Sequence, residues 1–496
     1  MNLLKTLLIP VVLLLLTNLS RAQNEYKAAD DAKEKAIKAL EERQEEFGEI
    51  AHKIWKLAEL GYQEYESSKI LKEKLQKEGF EIKTGVAAIP TAFIASYGSG
   101  QPVVAILGEF DALPGVSQDA VPYRQERPDC NAGHACGHHL FGAGSAAAAI
   151  MVKDWMKTEG IKGTIRFYGT PAEEGGAGKV YMVRAGLFDD VDAVLHWHPS
   201  NGNSASASSS LANKSAKFRF HGIASHAAGS PQNGRSALDG VEAMNYMVNM
   251  MREHVPAESR IHYVITRGGE APNVVPAFAE VFYYVRHPET SEVKKLFERV
   301  VKAAEGAALG TGTTMEYEVI HGLYNLLPNE TLAEIMYRNL QKVGGVKYDD
   351  EETVFAKKLI ESYEFAEANL EDAKNIKPYE VQLRGTGGST DVGDVSWIVP
   401  TAGLRTATWV PGTSAHSWQA LAAGGTSIGT KGMIVAAKTL TLTAIDLFNN
   451  PEVMDKARKE LIKKRGQNFK YESLLGDREP PLDYRTSFQK SYIFNQ

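Results

Sequence analysis

The chain is expected to fold as an α/β protein, a doubly wound and mostly parallel sheet that carries an inserted α+β domain of ferredoxin-like type. Three observations point there. Apolar runs of strand length alternate with helix-length periodic segments in both outer parts of the sequence, and such alternation builds parallel strand–helix–strand units. Between them lies a block with the order strand–helix–strand–strand–helix–strand. A Ser-, Asn- and Ala-rich bridge, SNGNSASASSSLANKSA, separates the two patterns and reads as loop rather than core.

From the N-terminus, MNLLKTLLIPVVLLLLTNLSRAQ combines an early lysine, an apolar run from Leu7 to Leu16 and the small-residue pattern Ser20-Arg21-Ala22. This is the make-up of a secretory signal over residues 1–22, cleaved after Ala22. As an anchor the run would be too short, because a bilayer needs about 20 apolar residues. The mature chain is therefore expected to be exported, periplasmic or secreted, with no stable membrane insertion. A net charge of −6 argues against nucleic acid as a partner.

Residues 27–60 carry helical periodicity, and SSKILKEKLQKEGF continues as a second helix. PVVAILGEF (102–110) is a continuous apolar run, as expected of a strand buried on both faces. LFGAGSAAAAIMVKDWMKTEG (140–160) reads as a helix closed by glycine, with GTIRFYGTP (163–171) and VDAVLHWHP (191–199) as further strands. The inserted domain is bounded at 213–326. It comprises KFRFHG, SALDGVEAMNYMVNMMREH, IHYVITRG, AEVFYYVRHP, SEVKKLFERVVKAAEG and TTMEYEVIHGL. Beyond it NETLAEIMYRNLQKV is a helix capped by Asn329, TAGLRTATWVP is a last strand, and helices run to residue 465. Residues 23–212 and 327–465 thus form the two parts of the larger domain. Residues 466–496 are a charged, Pro-containing arm on the surface.

In an open parallel sheet, ligands gather at the carboxyl ends of the strands. Asp111 follows VVAILGEF, and then comes NAGHACGHHL with Cys136 and His138. Glu173 and Glu174 follow TIRFYGTPA, His198 follows AVLHW, and His416 follows LRTATWVPGTSA. Each alone would be an ordinary loop residue. Together on one edge, a thiol, carboxylates and imidazoles make a donor set for borderline cations such as zinc or manganese. Gly137 lets the backbone turn Cys136 and His138 towards one point, and the helix that follows favours thiolate over thiol. Only Cys130 could pair with Cys136. That bridge would close a small loop, add little stability and remove the thiolate, so Cys136 is expected to be a metal ligand. Neighbouring Glu173 and Glu174 point in different directions, so one can bind metal while the other accepts a proton during attack on a carbonyl.

The segments GEFDALPG, GHACGHHL, GTPAEEGG, DAVLHWHP, ASHAAGSPQNGRSALDG, APNVVPAFAEVFYYVRHP and GTSAHSWQ occur in this order. They resemble the aminoacylase/carboxypeptidase-type metallopeptidase superfamily. Within it they are similar to the amidohydrolase branch that contains indoleacetyl-amino acid hydrolases, and more closely to the aminobenzoyl-glutamate utilisation protein of the B type. The resemblance implies a phosphorylase/hydrolase-like catalytic domain that binds two divalent metal ions, manganese or zinc. It also implies that the inserted domain forms a homodimer and closes over substrate. On the same basis Cys136 bridges the ions, His138, Glu174, His198 and His416 complete their coordination, and Glu173 is the general base. His226, in ASHAAGSP, polarises the substrate carbonyl and holds the oxyanion, from its own or the partner subunit. Asn273 and Arg286 contact a substrate carboxylate, although Arg286 read alone is as well a strand-end ion pair.

Some positions depart from the branch. His139 and Phe141 stand where many members have Asp and His, a change beside the ligands rather than in them. His196 rivals His198 as a ligand, and the spacing from Asp192 favours His198. The implied activity is cleavage of an amide between an acyl or aryl-acyl group and an amino acid. The alternatives are a dipeptidase or carboxypeptidase on the same site, or a catalytically silent binding protein, against which the intact Glu173 speaks.

Overall fold

A computed structural model of the protein describes residues 30–364, 367–385 and 387–485. The signal-peptide assignment lies outside the described residues. In chain order, β1 (Glu81–Thr84), β2 (Phe93–Ser99), β3 (Val103–Gly108), β4 (Gly163–Gly169) and β5 (Ala193–Ser200) come first. Then follow β6 (Ala212–His221), β7 (Arg260–Arg267), β8 (Phe278–His287), β9 (Thr314–Leu323) and β10 (Thr401–Ala407).

The larger sheet runs β1-β2-β4-β3-β5-β10. β4, β3, β5 and β10 are parallel neighbours, whereas β2 pairs antiparallel with both β1 and β4. β3 shows why the apolar run reads as a doubly covered strand. Val104 and Ile106 join the cluster beneath the helices His138–Glu159 and Ser427–Asn449, while Val103, Ala105 and Leu107 face Val180 and Val395 on the opposite side. A core two layers deep needs apolar residues in both phases of the strand. Among the described residues, no helix is long and apolar enough to cross a membrane.

The smaller sheet runs β7-β8-β6-β9, every pair antiparallel. The helices Ala237–Met251 and Thr290–Thr311 pack on one face through Val241, Met244, Leu296 and Val300. This is the ferredoxin-like order, threaded between β5 and β10 of the larger sheet.

The structure departs from the expected elements in four places. β1 and β2 are not among the strands that the sequence predicts, because β1 is a four-residue, mostly exposed edge with no buried position to mark it. The first helical segment is two helices, 30–42 and Gln44–Leu57, interrupted at Arg43. The end of the Ser/Asn bridge is strand, not loop. β6 starts at Ala212, and its small residues Ala212, Ser215 and Ala216 are buried where larger apolar ones would signal a strand. The helix Asp350–Ile360, closed by an Asp349–Glu352 capping box, was also not predicted. The predicted N-cap at Asn329 is present, its side chain accepting from the Leu332 amide.

Candidate metal centre

The carboxyl ends of β3, β4, β5 and β10 open on one cavity of about 430 Å³, whose lining includes Cys136, Glu173, Glu174, His198 and His416. Gly137 makes the turn between Cys136 and His138 with φ +81°, and a Cβ there would stand 2.6 Å from the Pro199 Cβ. Only glycine meets both demands. His138 then opens the long helix His138–Glu159.

Hydrogen bonds fix which nitrogen of each imidazole is free. His138 Nδ1 donates to Asp111 Oδ1 at 2.8 Å, and His198 Nδ1 donates to the Pro199 carbonyl at 2.7 Å. In the neutral form both rings keep the Nε2 lone pair for a ligand, the usual way an outer partner prepares a metal-binding histidine; His138 Nε2 also stands 3.0 Å from Glu109 Oε2. Asp111 Oδ2 also accepts the Glu174 amide at 2.8 Å, so one carboxylate orients two candidate ligands. His416 holds the left-handed φ of +61° while its amide bonds the Ala135 carbonyl at 3.0 Å. A strained non-glycine backbone in such a place is typical of a functional position.

Two triads of donor atoms result. Those of Cys136, His138 and His198 lie within 4.8 Å of one another, and so do those of Cys136, Glu174 and His416. Cys136 is common to both. Its Sγ is 3.3 Å from His198 Nε2, and His416 Nε2 is 3.1 Å from Glu174 Oε1. A third group joins Glu109, His138 and Glu173.

Divalent cations fit these residues. Glu109 Oε2, His138 Nε2 and Glu174 Oε1 are buried and, among the described residues, have no well-formed hydrogen bond: Glu109 Oε2 and His138 Nε2 face each other at 3.0 Å, and Glu174 Oε1 faces only His416 Nε2. Such groups are costly unless something satisfies them. Both cysteines are free, and burial pushes the Cys136 thiol up. A nearby cation reverses that tendency and makes the thiolate.

Glu173 lines the same cavity but belongs to neither Cys136 triad. Burial first, then the carboxylates of Glu109, Glu174 and Asp391, raise its carboxyl well above the usual range. For Glu174 burial acts in the same direction, but the His416 and His138 imidazoles prevail and hold it below the ordinary value. Two adjacent glutamates thus have opposite proton affinities, the pattern expected when one is a base and the other a ligand.

The remaining predicted residues lie elsewhere. His226, Asn273 and Arg286 do not line the cavity. His226 is exposed, and its Nδ1 accepts the amides of Ala228 and Gly229 at 3.2 and 2.9 Å. That leaves Nε2 as the N–H donor. Its loop pairs with that of Asn273 through the Ala227 amide and the Asn273 carbonyl, 3.0 Å apart. Arg286 lies over the Tyr284 ring with its Nε buried and unpartnered, so the reading of it as an ion pair finds no acidic partner among the described residues. His134 and His139 are packing residues, 5.0 Å apart ring to ring and bonded to the carbonyls of Ile54 and Gly424. His196, the rival to His198, also lines the cavity but belongs to none of the donor groups found among the described residues, and burial lowers its pKa to about 3.

Four supporting residues carried no motif signal. Glu64 accepts the Ala172 amide at 2.8 Å and so holds the entry to the Glu173 loop. Lys179, fully buried, ties Glu109 to Asp391 at 2.6 and 2.7 Å. Burial disfavours the Lys179 ammonium, but Asp391 and Glu109 more than offset this and raise its pKa. Replacing Lys179 with alanine removes the ammonium that joins two buried carboxylates, and should cost about 3–5 kcal/mol in a urea unfolding of the metal-free protein. Arg405 lines the cavity beside His198, its register partner on β5, and has no acidic partner among the described residues.

This sheet, its insert and its donor set are those of a metal-dependent amidohydrolase. Residues 105–419 match Peptidase family M20/M25/M40, and the chain belongs to that family, as a hydrolase of amide bonds. It is 42% identical over 464 residues to the second, B-type chain of the p-aminobenzoyl-glutamate hydrolase of Escherichia coli K12, covering 88% of this chain and 95% of that one. A mouse Xaa-Arg dipeptidase is 30% identical over 443 residues, 86% of this chain and 91% of its own. Two solved structures share the fold. The aminobenzoyl-glutamate utilization protein of Klebsiella pneumoniae has a TM-score of 0.55 at 17% identity, over 82% of this chain and 97% of that chain. A dinuclear metal binding M20 peptidase of Bacillus subtilis has a TM-score of 0.54 at 19% identity, over 83% and 99%.

Proposed function

We propose that the protein is an exported, homodimeric amidohydrolase with two divalent cations, manganese or zinc, that cleaves an acyl or aryl-acyl amino acid of the aminobenzoyl-glutamate kind. The observation that carries this reading is the position of Cys136 in two donor triads with Glu173 alongside. Cations held there supply Lewis acidity, which lowers the pKa of a water towards neutrality and polarises the scissile carbonyl. Glu173 takes the proton of the attacking water and passes it to the departing amine nitrogen. His226, with Nε2–H outward, donates to the carbonyl oxygen as negative charge builds on it. Asn273 and Arg286 bind a substrate carboxylate.

Arg405 supports an acidic leaving group. A cation in the cavity with no carboxylate of its own among the described residues favours a substrate carboxylate and disfavours a basic side chain. The similarity to the Xaa-Arg dipeptidase favours a second reading, a dipeptidase on the same site. Purified, manganese-loaded protein assayed against aminobenzoyl-glutamate and a dipeptide panel decides between them. Release of glutamate from the first is expected, and turnover of dipeptides alone would overturn the preference.

The dimer proposal rests on residues 213–326. β7 is an edge strand exposed at all but one position, with Tyr263, Val264 and Ile265 uncovered and Tyr246 and Met250 exposed on a nearby helix. A long, apolar, uncovered edge invites pairing with another chain. Val264→Lys is expected to convert a dimer to a monomer in light scattering. If His226 serves the partner's cavity, the same variant should lose activity in proportion to the dimer lost.

A further inference from the structure

Residues 467–485, beyond the family-matched region, run back from the last helix to the loop that carries Glu173 and Glu174. Their course is fixed by hydrogen bonds. Tyr471 Oη donates to Asp394 at 2.7 Å, Tyr324 Oη donates to the Glu472 carbonyl at 2.8 Å, and Arg184 donates to the carbonyls of Gly476 and Arg478 at 2.8 and 2.6 Å. Arg478 reaches the inserted sheet, donating to Glu318 on β9 at 2.8 Å, and Gln63 donates to the Leu482 carbonyl at 2.8 Å. The run ends on a single atom. Tyr484 Oη at 3.3 Å and Arg485 Nη2 at 2.5 Å both donate to the Glu174 carbonyl oxygen.

That carbonyl needs holding. Glu174 is followed by Gly175, at φ +109°, and Gly176; side-chain sterics restrain neither, and although their amides bond the Glu173 and Ala172 carbonyls at 2.7 and 2.9 Å, neither bond involves the Glu174 carbonyl. His321 of β9 donates to the next carbonyl, that of Gly175. The Tyr484 ring packs at 5.6 Å against that of Tyr62, and a side chain at Gly61 would collide with its hydroxyl.

We infer that Tyr484 and Arg485 are positioning residues of the metal centre, which fix Glu174 by clamping its carbonyl oxygen. The inference rests on the proposed role of Glu174 as a metal ligand. A partner that orients a ligand typically governs 10- to 100-fold of metal affinity or rate. The sign of the effect is diagnostic. Deleting a guanidinium near a cation site removes repulsion and would tighten binding, whereas loss of positioning weakens it.

The test titrates manganese into full-length wild type, Arg485→Ala, Arg485→Lys and Tyr484→Phe, following free ion by electron paramagnetic resonance, and measures kcat and KM in parallel. Arg485→Ala should weaken one of the two manganese sites about tenfold or more and lower kcat with KM unchanged. Arg485→Lys should be intermediate, and added guanidinium should restore part of the Arg485→Ala loss. Tyr484→Phe, which changes no charge, should move both readouts the same way by less, and it keeps the test alive if Arg485→Ala does not fold. Wild-type affinity at both sites in these variants, tighter binding, or equal weakening of both sites with a lower melting temperature of the metal-free protein would overturn the inference. Wild type that binds two manganese ions yet hydrolyses no amide would instead refute the proposed function, while the titration still reads the clamp.

Discussion

Glu173→Ala should lower kcat by at least about 100-fold, the usual scale for a general base, while both metal ions remain bound. The expectation comes from where the carboxylate stands. It lines the cavity with the ligand candidates but lies outside both Cys136 triads, so its removal leaves their donors intact. Burial and the adjoining Glu109 and Glu174 raise its proton affinity, which suits a group that must accept a proton and give it up to a leaving amine. Glu173→Gln keeps the volume and a hydrogen bond but not the basicity, and should be as inactive. Steady-state kinetics with elemental analysis of the same samples checks this. Activity close to wild type would place the base elsewhere. Loss of metal along with activity would make Glu173 a ligand, as its grouping with Glu109 and His138 allows.

Cys136→Ala should have the other large effect, abolishing turnover by emptying both cation positions. His416→Ala should empty one. The asymmetry follows from geometry, since the sulfur belongs to both triads and His416 to one. Each triad without its thiolate keeps two donors, fewer than the three protein ligands usual for a catalytic zinc. Manganese per protomer, counted after gel filtration, reports it: two equivalents for wild type, about one for His416→Ala and close to none for Cys136→Ala. Two equivalents in Cys136→Ala would show that the thiol is not the shared ligand.

Much of this molecule was legible in its sequence, and what was not has physical reasons. β3 announced itself because a strand covered on both faces must be apolar throughout, and Val103–Leu107 are. Cys136, His138, Glu174, His198 and His416 could be gathered before any coordinates because parallel strands deliver their following loops to one edge. Edge strand β1 and the start of β6 were not legible. The first is polar on an exposed rim, and the second buries Ala and Ser, whose small size mimics a loop. Supporting residues were harder still. Lys179 and Asp391 meet across 212 positions of sequence, and Glu64 reaches the Glu173 loop across 108. No local spacing encodes contacts of that range. The arm was expected only to lie on the surface, yet its last described residues hold the Glu174 carbonyl.

A crystal of the manganese-loaded protein, measured at the manganese absorption edge, tests the central claim most directly. Two anomalous peaks are predicted about 3.5–4 Å apart, both within bonding reach of Cys136 Sγ. One should have His138 and His198 as its further ligands, the other Glu174 and His416. A single peak, or peaks held by Glu109, His138 and Glu173 with the sulfur uncoordinated, would contradict it.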